Sequence, residues 1–307
     1  MIYTSNAFVL PLPSGHRFPM AKYARLAERV SRLAGPLTRV AAAAGDRELL
    51  RAHDAGYVAA VAGGTLDERA LRRIGFPWSP AMVERSRRSA GATLAACRSA
   101  LDRGLGINLA GGTHHAHRAH GEGFCVFNDA AVAARAMQAE GLARRVLVVD
   151  LDVHQGDGTA AIFSGDATVT TLSVHGRGNF PFRKSTSAID VELDDGTADD
   201  VYLATLATVL PRAIDRARPD LAIYLAGADP FEGDRLGRLS LSKAGLADRD
   251  RMVLDRLAAL GVPVAIAMAG GYAEDVDDVV DIHFATVALA LERAGALPCA
   301  GTAMAAC

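Results

Sequence analysis

Short apolar segments that alternate with longer helix-like segments constrain the fold of this chain most strongly. Each apolar segment has the length of a buried strand, and glycine or polar residues follow it. Parallel strands need long crossovers, usually helices, so the alternation predicts βαβ units. We therefore expect an α/β fold with an open, mostly parallel sheet and helices on both faces, its strands at 106–110, 146–149, 168–174, 221–225 and 262–268.

Helices are predicted between these strands and ahead of the first one. Ala, Leu and Arg dominate residues 21–44, which predicts a helix that is interrupted near Gly35-Pro36, whereas the prolines within residues 1–20 predict an irregular start. Without an internal repeat or a linker, residues 1–307 are expected to form a single domain. The other predicted helices are 53–61, 79–102, 129–140, 199–218, 242–260 and one at the C-terminal end.

Polar residues with catalytic potential follow four of the predicted strands. Open parallel sheets bind ligands outside the carboxyl ends of their strands, so side chains from these four loops are expected to meet at one edge. A chance pattern would rarely place them all there. The residues are His114, His115, Asp152, His154, Asp229 and Tyr272.

Two carboxylates and one imidazole in this set predict a metal site. Asp152 and His154 alternate along the chain after the strand at 146–149, and Asp229 follows the strand at 221–225. Three protein ligands are typical of a catalytic zinc (Zn²⁺) site, which keeps one position open. The same ligand types also suit Fe²⁺.

The adjacent histidines His114 and His115 are candidates for proton transfer, because the imidazole pKa suits both a base and an acid near neutral pH. Asp150 and Asp157 are carboxylates that can orient them. The hydroxyl of Tyr272 can donate to a carbonyl oxygen that becomes an oxyanion. By contrast, His117 and His120 are expected to belong to a histidine-rich surface tract with only nonspecific metal affinity. His16, His53 and His283 are likewise expected to take no part in the site.

Charge and composition exclude several classes of protein. A formal net charge of −2 without a Lys/Arg tail gives no electrostatic support for direct nucleic-acid binding. No apolar stretch is long enough to span a membrane, and no secretory signal is recognisable, so we expect a cytoplasmic location. The cysteines are too scattered to predict a disulfide framework or a thiolate metal site; they are Cys97, Cys125, Cys299 and Cys307.

Taken together, these motifs resemble the zinc-dependent histone deacetylases and their prokaryotic relatives. The resemblance covers about residues 5–290 and is carried by Gly-Gly-Thr-His-His at 111–115, Asp-Leu-Asp-Val-His-Gln-Gly-Asp-Gly-Thr at 150–159, Ala-Gly-Ala-Asp at 226–229 and Ala-Gly-Gly-Tyr at 269–272. Gly-Glu-Gly-Phe-Cys at 121–125 and Glu-Gly-Asp-Arg-Leu-Gly-Arg-Leu-Ser-Leu-Ser at 232–242 are most similar to the class IV branch.

The resemblance implies an arginase/deacetylase-type fold and a role for each residue of the site. It implies that the metal ligands are Asp152, His154 and Asp229. It implies that His115 with Asp157 is the general base and acid, that His114 with Asp150 is its electrostatic partner, and that Tyr272 polarises the carbonyl. Two further sets follow from it, a substrate channel of Gly123, Phe124, Phe180 and Leu236, and a structural potassium (K⁺) site of Asp150, Asp152, His154, Ser173 and Val174.

The implied activity is hydrolysis of an acyl group, acetyl or longer fatty acyl, from the lysine side-chain amine by a metal-activated water. An acidic residue at the position of Leu236 goes with polyamine substrates in this family, so leucine favours an acyl-lysine protein or peptide. Glu232 keeps an acetylpolyamine or another small acylated amine as the alternative. A non-catalytic acyl-lysine binder, or an arginase-type ureohydrolase with two metals, is less consistent with the residues present, and no pattern indicates an oligomeric state.

Overall fold

The computed structural model describes residues 1–296, and an eight-stranded sheet forms its centre. All neighbouring strands are parallel, in the order β2-β1-β3-β8-β7-β4-β5-β6. The predicted open sheet is therefore confirmed and is wholly parallel. Its strands are β1 (Ile2–Thr4), β2 (Thr38–Val40), β3 (Leu105–Asn108), β4 (Val146–Asp150), β5 (Val169–Gly176), β6 (Ile189–Leu193), β7 (Leu221–Leu225) and β8 (Val264–Ala267).

The helices predicted at 53–61, 79–102, 129–140, 199–218 and 242–260 begin and end within about two residues of their predicted bounds. Ser79 accepts a hydrogen bond from the amide of Met82 at the start of one helix, and Gly104 ends it in the left-handed conformation. The helices are α1 (Ala21–Ala34), α2 (Asp46–Leu49), α3 (Ala55–Gly63), α4 (Glu68–Ile74), α5 (Pro80–Arg103), α6 (Asp129–Ala139), α7 (Asp157–Ile162), α8 (Asp199–Ala217), α9 (Lys243–Ala259) and α10 (Val276–Arg293).

Two predictions for the N-terminal region are wrong. Residues 1–20 contain β1, and the predicted helix over 21–44 ends at Ala34, after which a 3₁₀ turn leads into β2. Proline at position 36 lacks the amide that a continuing helix needs, and the β-branched Thr38 and Val40 then pair with β1. Also missing from the sequence prediction are the short elements α2, α4, α7 and β6.

Two hydrophobic layers cover the two faces of the sheet. Along β4, Leu147 and Val149 point into a layer formed with α1, α8, α9 and α10. Val146 and Val148 point into the other layer, formed with α3, α5 and α6. This period of two is what a strand buried on both faces requires, and it confirms helices on both faces.

The four strands whose loops carry the predicted catalytic residues are neighbours in the middle of the sheet, in the order β3-β8-β7-β4. Because all are parallel, their carboxyl ends share one edge. After β3 the chain forms β4, β5 and β6 in order toward one edge of the sheet. It then returns, and β7 and β8 occupy the two positions between β4 and β3. Within residues 1–296 no helix is long and apolar enough to cross a membrane.

Candidate active site

Asp152, His154 and Asp229 converge at the carboxyl edge, where each offers a ligand atom within 4.8 Å of the others. Nδ1 of His154 lies 3.0 Å from Oδ1 of Asp152 and 3.3 Å from Oδ2 of Asp229. All three side chains are buried. Strand β4 ends at Asp150, so Asp152 and His154 lie in the loop that follows and not on a continued strand, whereas Asp229 lies in the loop after β7.

The chemistry of these three residues fits a divalent cation. Oδ2 of Asp229 is buried without a hydrogen-bond partner, and burial together with the nearby Asp152 carboxylate raises the pKa of Asp229 to about 7. Two buried carboxylates this close need positive charge between them. Two carboxylates and an imidazole are a donor set for zinc, and the same set also suits Fe²⁺.

Backbone amides hold the carboxylates in position. The amide of Val153 donates to Oδ1 of Asp229 at 2.9 Å, and the amide of Gly270 donates to Oδ2 of Asp152 at 2.8 Å. Position 270 has to be glycine, because a Cβ atom there would lie 1.8 Å from Oδ2 of Asp229. These contacts fix the direction of the carboxylate oxygens, which is the main requirement of a preformed metal site.

His114 and His115 lie side by side, each paired with its own carboxylate. Nδ1 of His114 donates to Asp150 at 2.8 Å, and Nδ1 of His115 donates to Asp157 at 2.6 Å. Burial opposes charge on His114, but the Asp150 and Asp152 carboxylates outweigh it and raise its pKa to about 9. Burial and the neighbouring charge on His114 lower the pKa of His115 to about 4. His115 is therefore the neutral imidazole of the pair.

His117, predicted as part of a surface tract with nonspecific metal affinity, also contacts a carboxylate of the site. Its Nε2 lies 3.1 Å from Oδ2 of Asp157, so Asp157 accepts hydrogen bonds from both His115 and His117. With the partly exposed His120 and Glu122 it forms a second group of metal-ligand type among residues 1–296, which lies nearer the surface than the first.

Asp129, predicted only as the start of a helix, and Asn128 before it hold the loop of residues 111–116, which carries His114 and His115 and is called the histidine loop. The Asp129 carboxylate accepts hydrogen bonds from the amides of Gly112 and Thr113 at 3.0 and 2.7 Å. The Asn128 side chain donates to the carbonyl oxygens of His114 and Ala116 and caps α6. A buried Asn-Asp pair ahead of an apolar helix is the signal that could have revealed them.

Tyr272 lines the cavity above the metal-ligand residues, and its side chain is buried. Burial and the carboxylates of Asp229 and Asp152 raise the pKa of its phenol, so the hydroxyl keeps its proton at neutral pH. The amide of Tyr272 donates to Asp234 at 2.5 Å, and Nζ of the buried Lys22 lies 5.3 Å from the ring centroid. Neither Asp234 nor Lys22 was predicted from the sequence.

A cavity of about 540 Å³ opens from these residues to the surface, and the predicted channel residues line it. The Phe180 ring stands edge-on to His115, with centroids 4.9 Å apart. Gly123 has a φ of +54° and leaves no room for a side chain, since a Cβ atom would lie 2.7 Å from the His115 ring. Phe124 and Leu236 complete the walls.

The residues of the predicted potassium site lie on the adjacent strands β4 and β5 and in the loop that follows β4. Ser173 pairs in register with Asp150, and its hydroxyl lies 2.9 Å from Nδ1 of His175. Val174 follows in β5, while Asp152 and His154 follow β4. The site stays a prediction from the resemblance.

Cys125 is buried, and burial raises the pKa of its thiol, so it has no reactive character. Cys299 and Cys307 lie outside the described residues.

The sheet and the buried histidine–aspartate site at its carboxyl edge define this chain as an α/β protein with an enzyme-type centre. A family model, the histone deacetylase domain, matches residues 16–287. An uncharacterized protein of Picosynechococcus sp. is 46% identical over 280 residues, which cover 90% of this chain and 93% of that protein. The chain belongs to the histone deacetylase family.

More distant relatives agree with this assignment. Histone deacetylase 2 of Arabidopsis thaliana is 35% identical over 189 residues, 61% of this chain and 49% of that protein, so the chain matches about half of its length. A solved HDAC homolog from Aquifex aeolicus has a TM-score of 0.81 at 22% identity, covering 94% of this chain and 83% of the other. An HDAC homolog complexed with SAHA has a TM-score of 0.79 at 21% identity, covering 97% and 88%. These two structures support the fold.

Proposed function

We propose that this protein is a metal-dependent amidohydrolase that removes acyl groups from the side-chain amine of lysine. The observation that carries the proposal is the buried group of Asp152, His154 and Asp229, of which Asp152 and His154 line the same cavity as His115 and Tyr272. A divalent cation held by these three ligands would supply Lewis acidity toward the acyl carbonyl and toward water.

The protein's own groups supply the proton transfers. His115, neutral and held by Asp157, accepts a proton from the attacking water and returns it to the departing amine. The Tyr272 hydroxyl donates a hydrogen bond to the carbonyl oxygen as negative charge develops there. The charged His114 beside Asp150 adds electrostatic stabilisation. The aromatic walls Phe124 and Phe180 exclude water from the extended lysine side chain.

The lining of the cavity favours acyl-lysine over an acetylated polyamine. Leu236 presents an apolar side chain to the channel, and Glu232 is not among the residues that line it. We expect acetyl and longer acyl groups as alternatives for the acyl part. A substrate panel of acetyl-, octanoyl- and myristoyl-lysine peptides beside acetylputrescine tests this directly. Hydrolysis of acetylputrescine alone would contradict the lysine assignment.

Tyr272→Phe is expected to lower kcat about a hundredfold, because it removes one hydrogen-bond donor to the developing oxyanion. The fold and the metal content should stay unchanged, as measured by circular dichroism and elemental analysis. Tyr3→Phe, on β1 away from the cavity, is the matched control. Wild-type turnover by Tyr272→Phe would remove the phenol from the mechanism.

His115→Ala should likewise retain metal while losing hydrolysis. Metal counting also separates the proposal from an arginase-type enzyme. One catalytic divalent ion per chain supports the deacylase, whereas two would support the ureohydrolase.

A further inference from the structure

Exposed arginines surround the opening of the catalytic cavity. They lie on three separate parts of the chain, the segment before α1, the end of α4 and the loop after β7. Apart from the metal-ligand residue Asp152, one acidic residue, Glu122, lines the same cavity in the described part of the chain. We call the arginines the arginine collar; they are Arg17, Arg72, Arg73, Arg235 and Arg238.

Only part of this charge is neutralised within the protein. Arg72 forms an ion pair with Glu68 at 3.0 Å, and Arg238 forms one with Asp195 at 3.1 Å. The other three are Arg17, Arg73 and Arg235, and among residues 1–296 no carboxylate lies within 4.0 Å of their guanidinium nitrogens. Nε of Arg235 donates a hydrogen bond to the carbonyl oxygen of Tyr272 at 3.0 Å. The opening is thus positive, although the whole chain carries a formal charge of −2.

The fold fixes each unpaired arginine next to the channel wall. The carbonyl oxygen of Arg73 accepts a hydrogen bond from the amide of Gly123 at 3.1 Å. Arg17 precedes Phe18, whose ring centroid lies 5.3 Å from that of Phe124. Arg235 precedes Leu236 in the wall. A lysine side chain that enters the channel therefore leaves its flanking groups at the arginine collar.

We propose that the arginine collar binds carboxylates on the residues that flank the acyl-lysine, so that the preferred substrate is an acyl-lysine in an acidic peptide. This inference rests on the proposed hydrolase function and names its substrate class. Guanidinium groups bind carboxylates with paired hydrogen bonds, and a positive opening draws an acidic peptide in while repelling a basic one. A cationic polyamine is disfavoured for the same reason.

The test compares three peptides of equal length with acetyl-lysine at the centre and aspartate, glutamine or lysine on both sides. For the wild-type protein, kcat/KM should be about tenfold higher for the acidic than for the basic peptide at low ionic strength. The ratio should fall as salt is added. The double variant Arg17→Gln/Arg73→Gln should bring it close to one, whereas Arg69→Gln, on α4 but outside the cavity lining, should leave it unchanged.

Each result decides one of the two proposals. Equal kcat/KM for all three peptides would overturn the arginine collar and leave the hydrolase function intact. If no peptide is cleaved, the hydrolase function fails, and binding of the same peptides, measured by fluorescence anisotropy, tests the collar alone. Tighter binding of the acidic peptide that the double variant loses supports the collar. Equal binding of the acidic and basic peptides overturns it.

Discussion

The neighbouring histidines of this site have different protonation states although they share one loop. His114 lies between two carboxylates and has a pKa of about 9, whereas His115 lies beside the charge on His114 and has a pKa of about 4. The sequence could predict that they have separate roles, because adjacent loop residues point in different directions. Which of them stays neutral depends on the positions of Asp150 and Asp157, which no local pattern specifies.

Gly270→Ala is expected to weaken metal binding by more than about tenfold, because the added Cβ atom would meet Oδ2 of Asp229. Metal affinity by competition with a chelator is the measurement. Gly56→Ala is the matched control, since its Cβ atom would meet nothing within 4 Å. Unchanged affinity in Gly270→Ala would show that the Asp229 carboxylate can move without loss of the site.

His53 makes hydrogen bonds to the backbone of His117 and Asn128, next to the histidine loop, and makes the stability of the protein depend on pH. Its Nε2 accepts a hydrogen bond from the amide of Asn128, and its Nδ1 therefore donates to the carbonyl oxygen of His117. Burial lowers the pKa of His53 from 6.5 to about 4. Between these values the unfolded chain binds a proton that the folded chain excludes, so stability is lost as the pH falls through this window.

We expect wild-type protein to lose about 2 kcal/mol more stability than His53→Gln between about pH 7 and about pH 5. Glutamine can keep both hydrogen bonds but does not titrate. Urea denaturation at the two pH values gives the two free energies of unfolding. Equal losses in both proteins would assign the acid sensitivity to other buried groups.

At the scale of elements, helix α1 fixes the loop that carries Tyr272. Nζ of the buried Lys22 donates to the carbonyl oxygens of Ala269 and Gly271 at 3.3 Å each, and Ala269 has a left-handed φ of +56°. Left-handed backbone is strained for alanine and persists only where its surroundings hold it. Lys22 is therefore a positioning residue for Tyr272.

Lys22→Met should lower kcat about tenfold and change KM little, because the loop relaxes while the channel walls remain. Stability should fall by about 1–3 kcal/mol, since two buried carbonyl groups lose their donor. Steady-state kinetics and thermal unfolding measure the two effects. Lys243→Met removes a surface ion pair with Asp278 and Asp281 and serves as the control. A lower stability with unchanged kcat would limit Lys22 to a structural role.

Elements with strong local signals could be predicted, and elements that depend on distant partners could not. Helix α5 has a serine cap, an N-terminal proline and a terminal glycine, and its bounds follow from them. By contrast, β1 and β2 are three residues each and exist because they pair with each other and because β1 also pairs with β3. Strand β6 is a half-exposed edge strand next to β5. Its sequence is not a continuous apolar run, and it forms a strand because it pairs with β5.

At the scale of the whole molecule, the site residues were predictable because parallel strands end at a common edge. His115, Asp152, Asp229 and Tyr272 are widely spaced in sequence, yet the strands that carry them are adjacent. The contacts behind them were not predictable in the same way. Asp129 accepts hydrogen bonds from the backbone amides of Gly112 and Thr113, and the Asn-Asp pair ahead of α6 marks a polar helix start in the sequence without naming these partners.

Removal of the metal should lower the melting temperature by roughly 5 °C, because a cation bound only to the folded state adds about 3 kcal/mol at a hundredfold excess over its Kd. Thermal unfolding with added zinc and with a chelator measures the difference. Asp229→Asn should show little difference between the two conditions. A chelator-insensitive wild type would contradict a stabilising metal between Asp152 and Asp229.

The order of the strands also bears on synthesis. A nascent chain that has left the ribosome as far as β6 holds β3 and β4 but neither of the two central strands that separate them in the finished sheet. The last third of the polypeptide must insert between segments made much earlier. Asp229 and Tyr272 therefore join the two histidines only late in translation, and we expect a product terminated after β6 to carry both histidines without either of these residues.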